Sequence, residues 1–139
     1  MRLLLDTNVL SEVTKTRPAE GVLNWLHGLD EDSTFISIVS IAEIRRGVAL
    51  MDGQNRDALN EWLTHDLPQR FDNRIISVEG AVALAWGDLM ALAKRSSRGL
   101  ASMDGLIAAT AIAHDLTLAT SNTKDFEGFG IDIVDPWVV

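Results

Sequence analysis

An α/β fold is predicted by three features of the sequence. Short apolar runs of strand length alternate with segments of helical character along the chain. The first run, Arg2 to Leu5, ends in three consecutive leucines, the pattern of a parallel strand covered on both faces rather than the alternation of a half-exposed one. The 139 residues contain no Pro/Gly/Ser-rich linker and no internal repeat, so a single domain over residues 1–139, with one sizeable core, is expected.

In chain order, the strand Arg2 to Leu5 gives way at Asp6-Thr7-Asn8, polar residues suited to capping a short helix. Pro18 suits the first turn of a second helix that carries Val22, Leu23, Trp25 and Leu26. Thr34 to Val39 is rich in β-branched residues and reads as the second strand. Ser40-Ile41-Ala42-Glu43 then opens a helix running through Val48 and Leu50, with Ser40 and Glu43 spaced as a capping box. A further helix is expected over Asp57 to Leu63, and a third strand over Ile75 to Val78. The helix Ala81 to Lys94 offers Val82, Trp86, Leu89, Met90 and Ala93 as a core stripe, and Arg95 to Gly99 closes it. Met103 to His114 is apolar on nearly every side and predicts a helix buried between sheet and helix. Leu116 to Ala119 and Ile131 to Val134 read as the last strands, the latter at a sheet edge where Pro136 is tolerated.

Composition narrows the chemistry. A hydrophobic fraction of 47% with 23% charged residues excludes disordered and fibrous classes. With no cysteine, thiolate metal sites, disulfides and cysteine nucleophiles are excluded, and carboxylates become the main chemical resource. The opening apolar run is too short for a signal peptide and no stretch approaches about 18 uninterrupted apolar residues, so no membrane association and a cytoplasmic location are expected. The net charge of -8 argues against gripping nucleic acid by bulk electrostatics. Acids gathered around divalent cations, which reverse the local field, or a basic partner would answer that objection.

Four acids occupy equivalent places on this map. Asp6 follows a strand, Glu43 and Asp104 sit in first helical turns, and Asp125 follows another strand. Ligand crevices in open α/β sheets lie beyond the carboxyl ends of the strands, where such residues can converge. Carboxylates side by side repel and tend to protonate, whereas a hard divalent cation neutralises them, so Mg2+ or Mn2+ is the natural occupant, with a second ion possible. Each acid also has a plainer reading, because helix N-termini favour carboxylates; Asn122 with Asp125 again resembles a capping box. Asp6 is the exception, since a buried carboxylate at a strand end needs a partner. His27, His65 and His114 lack paired ligand spacing. Trp25, Trp62 and Trp86 lie in helical patterns as core anchors, and Trp137 suits a core edge or an interface.

The segments Leu4 to Glu12, Ser40 to Gly47, Asp104 to Ala111 and Leu118 to Phe126, with terminal Asp135-Pro136-Trp137, closely resemble the PIN-domain toxins of the VapC type, in particular their FitB-like branch. The resemblance implies a three-layer α/β/α domain with a central, mostly parallel sheet. It implies an RNA-cleaving endoribonuclease using Mg2+ or Mn2+, the toxin of a type II toxin-antitoxin pair, with Asp6, Glu43 and Asp104 as metal-binding catalytic acids and Asp125 as the fourth. Thr7, Asn8, Arg45, Arg46, Asn122 and Lys124 become candidate substrate contacts; Ser121 stands where many relatives carry arginine, so no phosphate contact carries over there. Members of the family form homodimers and are held inactive by a small antitoxin with a DNA-binding domain, in higher hetero-oligomers.

Two other readings are open at this stage. In one, the domain is a largely non-catalytic module that dimerises and strengthens operator binding by the antitoxin. In the other, it is a phosphotransfer domain with Asp6 as phosphate acceptor, although Asn8 stands where the phosphatase pattern requires a second aspartate.

Overall fold

A computed structural model describes residues 1–139. Five parallel strands form one sheet: β1 (Leu3–Leu5), β2 (Thr34–Ser37), β3 (Ile75–Ile76), β4 (Thr117–Ala119) and β5 (Ile133–Val134), in the spatial order β3-β2-β1-β4-β5. The chain builds outward from β1 to β3, then crosses to the opposite side for β4 and β5. The order therefore reverses between β1 and β4, a topological switch point of the doubly wound kind. The registers align Leu5 of β1 with Ile36 of β2 and Ala119 of β4, so the residues that follow leave the sheet at one level.

The connections are helical: α1 (Thr7–Glu12) and α2 (Glu20–His27); α3 (Ile38–Ala49), α4 (Gln54–Glu61) and α5 (Leu67–Arg70); α6 (Gly80–Arg95) and α7 (Ser102–Ala113); and α8 (Thr123–Phe126). The period of two in β1 divides the core. Leu4 packs with Leu89, Ile107, Leu118 and Phe126 on one face, while Leu3 and Leu5 pack with Val9, Ile36, Leu63 and Phe71 on the other. Both sheet faces are thus covered, giving the expected three layers, and β5 lies at the expected edge.

Several boundaries differ from the sequence prediction, each for a physical reason. The second strand stops at Ser37, whose hydroxyl accepts from the Val39 amide and caps α3, so the helix begins three residues earlier than the proposed capping box. Ser40 is buried inside the helix, and Glu43 lies in its second turn rather than its first. Asn122 occupies the cap position of α8 without a side-chain cap bond. Pro18 precedes the capping residue of α2, Ala19, instead of entering its first turn. The predicted helix 57–63 extends from Gln54 to Arg70 through a widened turn at Trp62–Asp66, where the Leu67 amide reaches back to the Trp62 carbonyl. This i→i+5 turn falls just ahead of Pro68, which has no amide to continue the regular ladder.

The contact between α6 and α7 depends on Gly105. A Cβ there would lie 2.6 Å from Met90 Sδ and 3.1 Å from Trp86 Nε1, the indole donor that holds the Ser102 carbonyl at the start of α7. Gly105→Val is therefore expected to cost about 1–3 kcal/mol by overpacking, checked as a fall of several degrees in Tm.

Candidate active site

The switch point carries Asp6. Its main chain is still tied to the sheet, the Asp6 amide donating to the Ala119 carbonyl at 2.9 Å, while its side chain turns into the crevice beyond the strands. The residue is 3% exposed and its carboxylate accepts three bonds: from the Thr7 amide at 2.7 Å, the Thr120 hydroxyl at 2.7 Å and the Asn8 amide nitrogen at 3.2 Å. The first makes Asp6 the cap of α1, as its place ahead of Thr7 and Asn8 suggested. Thr120 follows β4 as Asp6 follows β1. It is fully buried, and it also accepts from the Asn122 amide and the Asn8 side chain, tying the two strand ends together.

Glu43 reaches the same crevice from α3. The Thr7 hydroxyl donates to Glu43 Oε1 at 2.7 Å and lies 2.9 Å from Ser40 Oγ, so one side chain next to Asp6 orients Glu43 and closes the polar contact with α3. Asp104 comes from the first turn of α7, as predicted, and Asp125 from the short α8.

The acids feel one another's charge in pairs, Asp6 that of Asp104 and Glu43, and Asp104 that of Glu43 and Asp125. Burial raises the Asp6 pKa above its usual value; the bonds from Thr120 and Thr7 partly oppose this, and the charges of Asp104 and Glu43 add to the rise. Asp104 is also raised, by partial burial and then by Glu43 and Asp125. None of the four acids takes part in an ion pair. No group of three or more His, Asp or Glu side chains is gathered closely enough to hold a metal ion as it stands. The all-oxygen, uncompensated donor set nevertheless fits Mg2+ or Mn2+. Mg2+ keeps several waters and takes only one or two carboxylates, so the fit does not require a closed protein cage.

The other predicted residues divide into two groups. Thr7 and Asn8 point inward: Asn8 donates to Asp6 and Thr120 and accepts from the Ser121 amide at 3.2 Å, so both hold the acids in place. Arg45 binds the side chain of Asn60 on α4, whereas Arg46, Asn122 and Lys124 are exposed. The sequence reading missed Thr120, and with it Ser40 as a site contact. It also missed Arg98, which donates to the carbonyls of Lys124 at 3.0 Å, Asp125 at 3.3 Å and Glu127, with its guanidinium 4.1 Å from the Phe129 ring centroid. Gly128, at φ +83°, leaves room for it, since a Cβ there would lie 3.2 Å from Arg98 Nη1. Arg98 thereby clamps the segment bearing Asp125. Arg98→Ala is expected to accelerate amide hydrogen exchange over residues 124–129 by about ten-fold or more, leaving α7 unchanged.

A cavity of about 880 Å3 lies elsewhere. It is lined by residues that include Val9, Leu26, Trp62, Phe71 and Arg74, and by none of the four acids. The coupled acids and this cavity therefore occupy different parts of the molecule.

The fold is a doubly wound parallel sheet with a buried acid, Asp6, at its switch point. Residues 3–130 match the PIN domain family, and the chain belongs to that family. It is 37% identical over 136 residues to toxin FitB of Neisseria gonorrhoeae, covering 97% of this chain and 98% of that one. It is 36% identical over 136 residues to VapC ribonuclease Y4jK of Sinorhizobium fredii, covering 97% of each. The crystal structure of FitAcB from Neisseria gonorrhoeae matches with a TM-score of 0.92 at 36% identity, covering 99% of both chains.

Proposed function

We propose that this PIN-domain protein, a single domain over residues 1–139, is a Mg2+- or Mn2+-dependent endoribonuclease and the toxin of a type II toxin-antitoxin pair. The observation that supports the reading is a chain of mutually repelling acids without a basic partner, Asp6 coupled to Glu43 and Asp104 and Asp104 to Glu43 and Asp125, beginning at the switch point of the sheet. Relatives named as a toxin and as a ribonuclease support the same chemistry.

In this reading Asp6, Glu43 and Asp104 hold the ion and Asp125 completes the acidic wall. When bound, the ion supplies Lewis acidity at the phosphodiester and activates a water nucleophile. The chain's own residues set the geometry. Thr120, Asn8 and the Thr7 amide fix both oxygens of Asp6, and the Thr7 hydroxyl fixes Glu43. Arg46 and Lys124, both exposed, are the proposed contacts to RNA phosphate, while Arg45 is engaged by Asn60. A DNA-binding antitoxin is the proposed partner, by analogy with a solved FitAB complex on DNA at 35% identity. Homodimerisation and a cytoplasmic location complete the reading; no helix is long and apolar enough to cross a membrane.

The test is cleavage of end-labelled RNA of mixed sequence by partner-free protein. Internal cuts with Mn2+ or Mg2+, abolished by EDTA, are expected. Persistent inactivity together with measurable metal binding would turn the assignment toward a non-catalytic partner module.

A further inference from the structure

Beside the acidic centre, on the α1 side, lies a cleft of about 330 Å3 lined by Asn8, Ser11, Glu12, Lys15, Ser121 and Trp137. Asn8, Ser11, Glu12 and Lys15 recur at helical spacing, so α1 and the turn after it present them on one face. Ser121 follows β4 and Trp137 follows β5, so the cleft sits beyond the carboxyl ends of the strands, where such sheets bind ligands. Asn8 is the wall shared with the centre, since its amide nitrogen donates to Asp6 Oδ2.

The cleft is built around a fixed cation. Glu12 is only 4% exposed; its Oε2 accepts from the Ala19 amide at 2.8 Å and its Oε1 lies 2.7 Å from Lys15 Nζ. The buried carboxylate anchors the ammonium from below, while the Lys15 side chain remains 61% exposed and keeps donors for another anion. Trp137 also lines the cleft, half-buried against the core, with the Asp135 carboxylate accepting from its main-chain amide at 2.9 Å. An aromatic wall, a positioned ammonium and neutral polar groups make up the recognition set for one nucleotide of single-stranded nucleic acid.

We propose that this cleft is the subsite for the RNA nucleotide flanking the scissile phosphate, with Lys15 engaging that nucleotide's phosphate and Trp137 its base. The proposal rests on the ribonuclease reading, and its test separates the two. Steady-state cleavage of a fluorescein-labelled single-stranded RNA with Mn2+ is compared across wild type, Asp6→Asn, Lys15→Met, Lys15→Arg, Ser11→Phe and Lys94→Met. Lys15→Met is expected to raise KM about ten-fold, with a smaller change in kcat. It should also lower the slope of log kcat/KM against log salt by about 0.7, the signature of one lost phosphate contact on a single strand. Lys15→Arg restores both. Ser11→Phe fills the cleft without removing a core side chain and raises KM likewise, while Lys94→Met, on α6, changes nothing.

If wild type cleaves, Asp6→Asn does not, and the Lys15 and Ser11 variants keep wild-type KM and salt slope, the subsite is overturned and the nuclease reading stands. If those variants instead lose affinity only for the purified antitoxin, the cleft belongs to a protein partner and the proposal also fails. If wild type neither binds nor cleaves RNA, both readings fall.

Discussion

Asp6→Asn is expected to lower RNA cleavage by roughly two to three orders of magnitude, while leaving the metal-free fold at least as stable as wild type. The wild-type carboxylate is buried, its ionised form is disfavoured by desolvation, and Asp104 and Glu43 repel it. Asparagine keeps the shape and the oxygen that accepts from the Thr7 amide. Its amide nitrogen replaces the oxygen that accepts from Thr120 and Asn8. The Thr120 hydroxyl, which already accepts from Asn8 and the Asn122 amide, has no free lone pair to take the new donor. The losses are the bonds from Asn8 and Thr120, each worth about 1 kcal/mol, set against removal of a desolvated charge and two repulsions. Most single substitutions at buried polar sites lower activity and stability together. Separation of the two is therefore diagnostic, with melts in EDTA run beside cleavage assays. Full activity in Asp6→Asn would remove Asp6 from the mechanism, and lost activity with a collapsed melt would make its role structural.

How legible this site was in the sequence depended on the range of the interactions involved. Asp6 could be read because three consecutive leucines announce a buried strand and an acid at its end has no apolar explanation. The position of Asp104 in the first turn of an apolar helix was legible, whereas the choice between a terminus carboxylate and a site acid came from the family resemblance. Thr120 was not: threonine at a strand end is ordinary β-propensity, and only the pairing of β4 beside β1 brings its hydroxyl to Asp6. The start of α3 was misplaced because Ile38 and Val39 carry β-branched side chains. Packing of Val39 into the core from a helix overrides that local preference. Glu12 carries no signal in the sequence because its partner, the Ala19 amide, lies seven residues ahead across a turn that local pattern does not specify. Arg98 and the segment it clamps lie further apart still. The strand order was the part that composition and periodicity could not supply, and it decides which strand ends become neighbours.

A divalent cation is expected to raise Tm and to reverse the direction in which stability changes with pH. In metal-free protein the folded-state pKa values of Asp6 and Asp104 lie above the ordinary value of 3.8. Between 3.8 and those raised values the native state binds more protons than the unfolded chain, so stability falls as pH rises; above them the loss is complete and constant. Glu12 acts oppositely. Its pKa is lowered from 4.5, first by Lys15 and then by the Ala19 amide, so its contribution is present above 4.5 and lost as pH falls through the lowered value. A decline continuing above pH 4.5 therefore belongs to Asp6 and Asp104. With Mg2+ or Mn2+ at about a hundred times its dissociation constant, the gain is about 2.7 kcal/mol, or roughly 10 °C for a chain of this size. Because the ion requires deprotonated ligands, that gain should grow with pH, opposite to the metal-free trend. Thermal melts at several pH values, with and without Mn2+, read both effects, and Asp6→Asn should flatten them. A Tm indifferent to the ion, or a pH slope that survives Asp6→Asn and Asp104→Asn together, would show that these carboxylates do not share a cation.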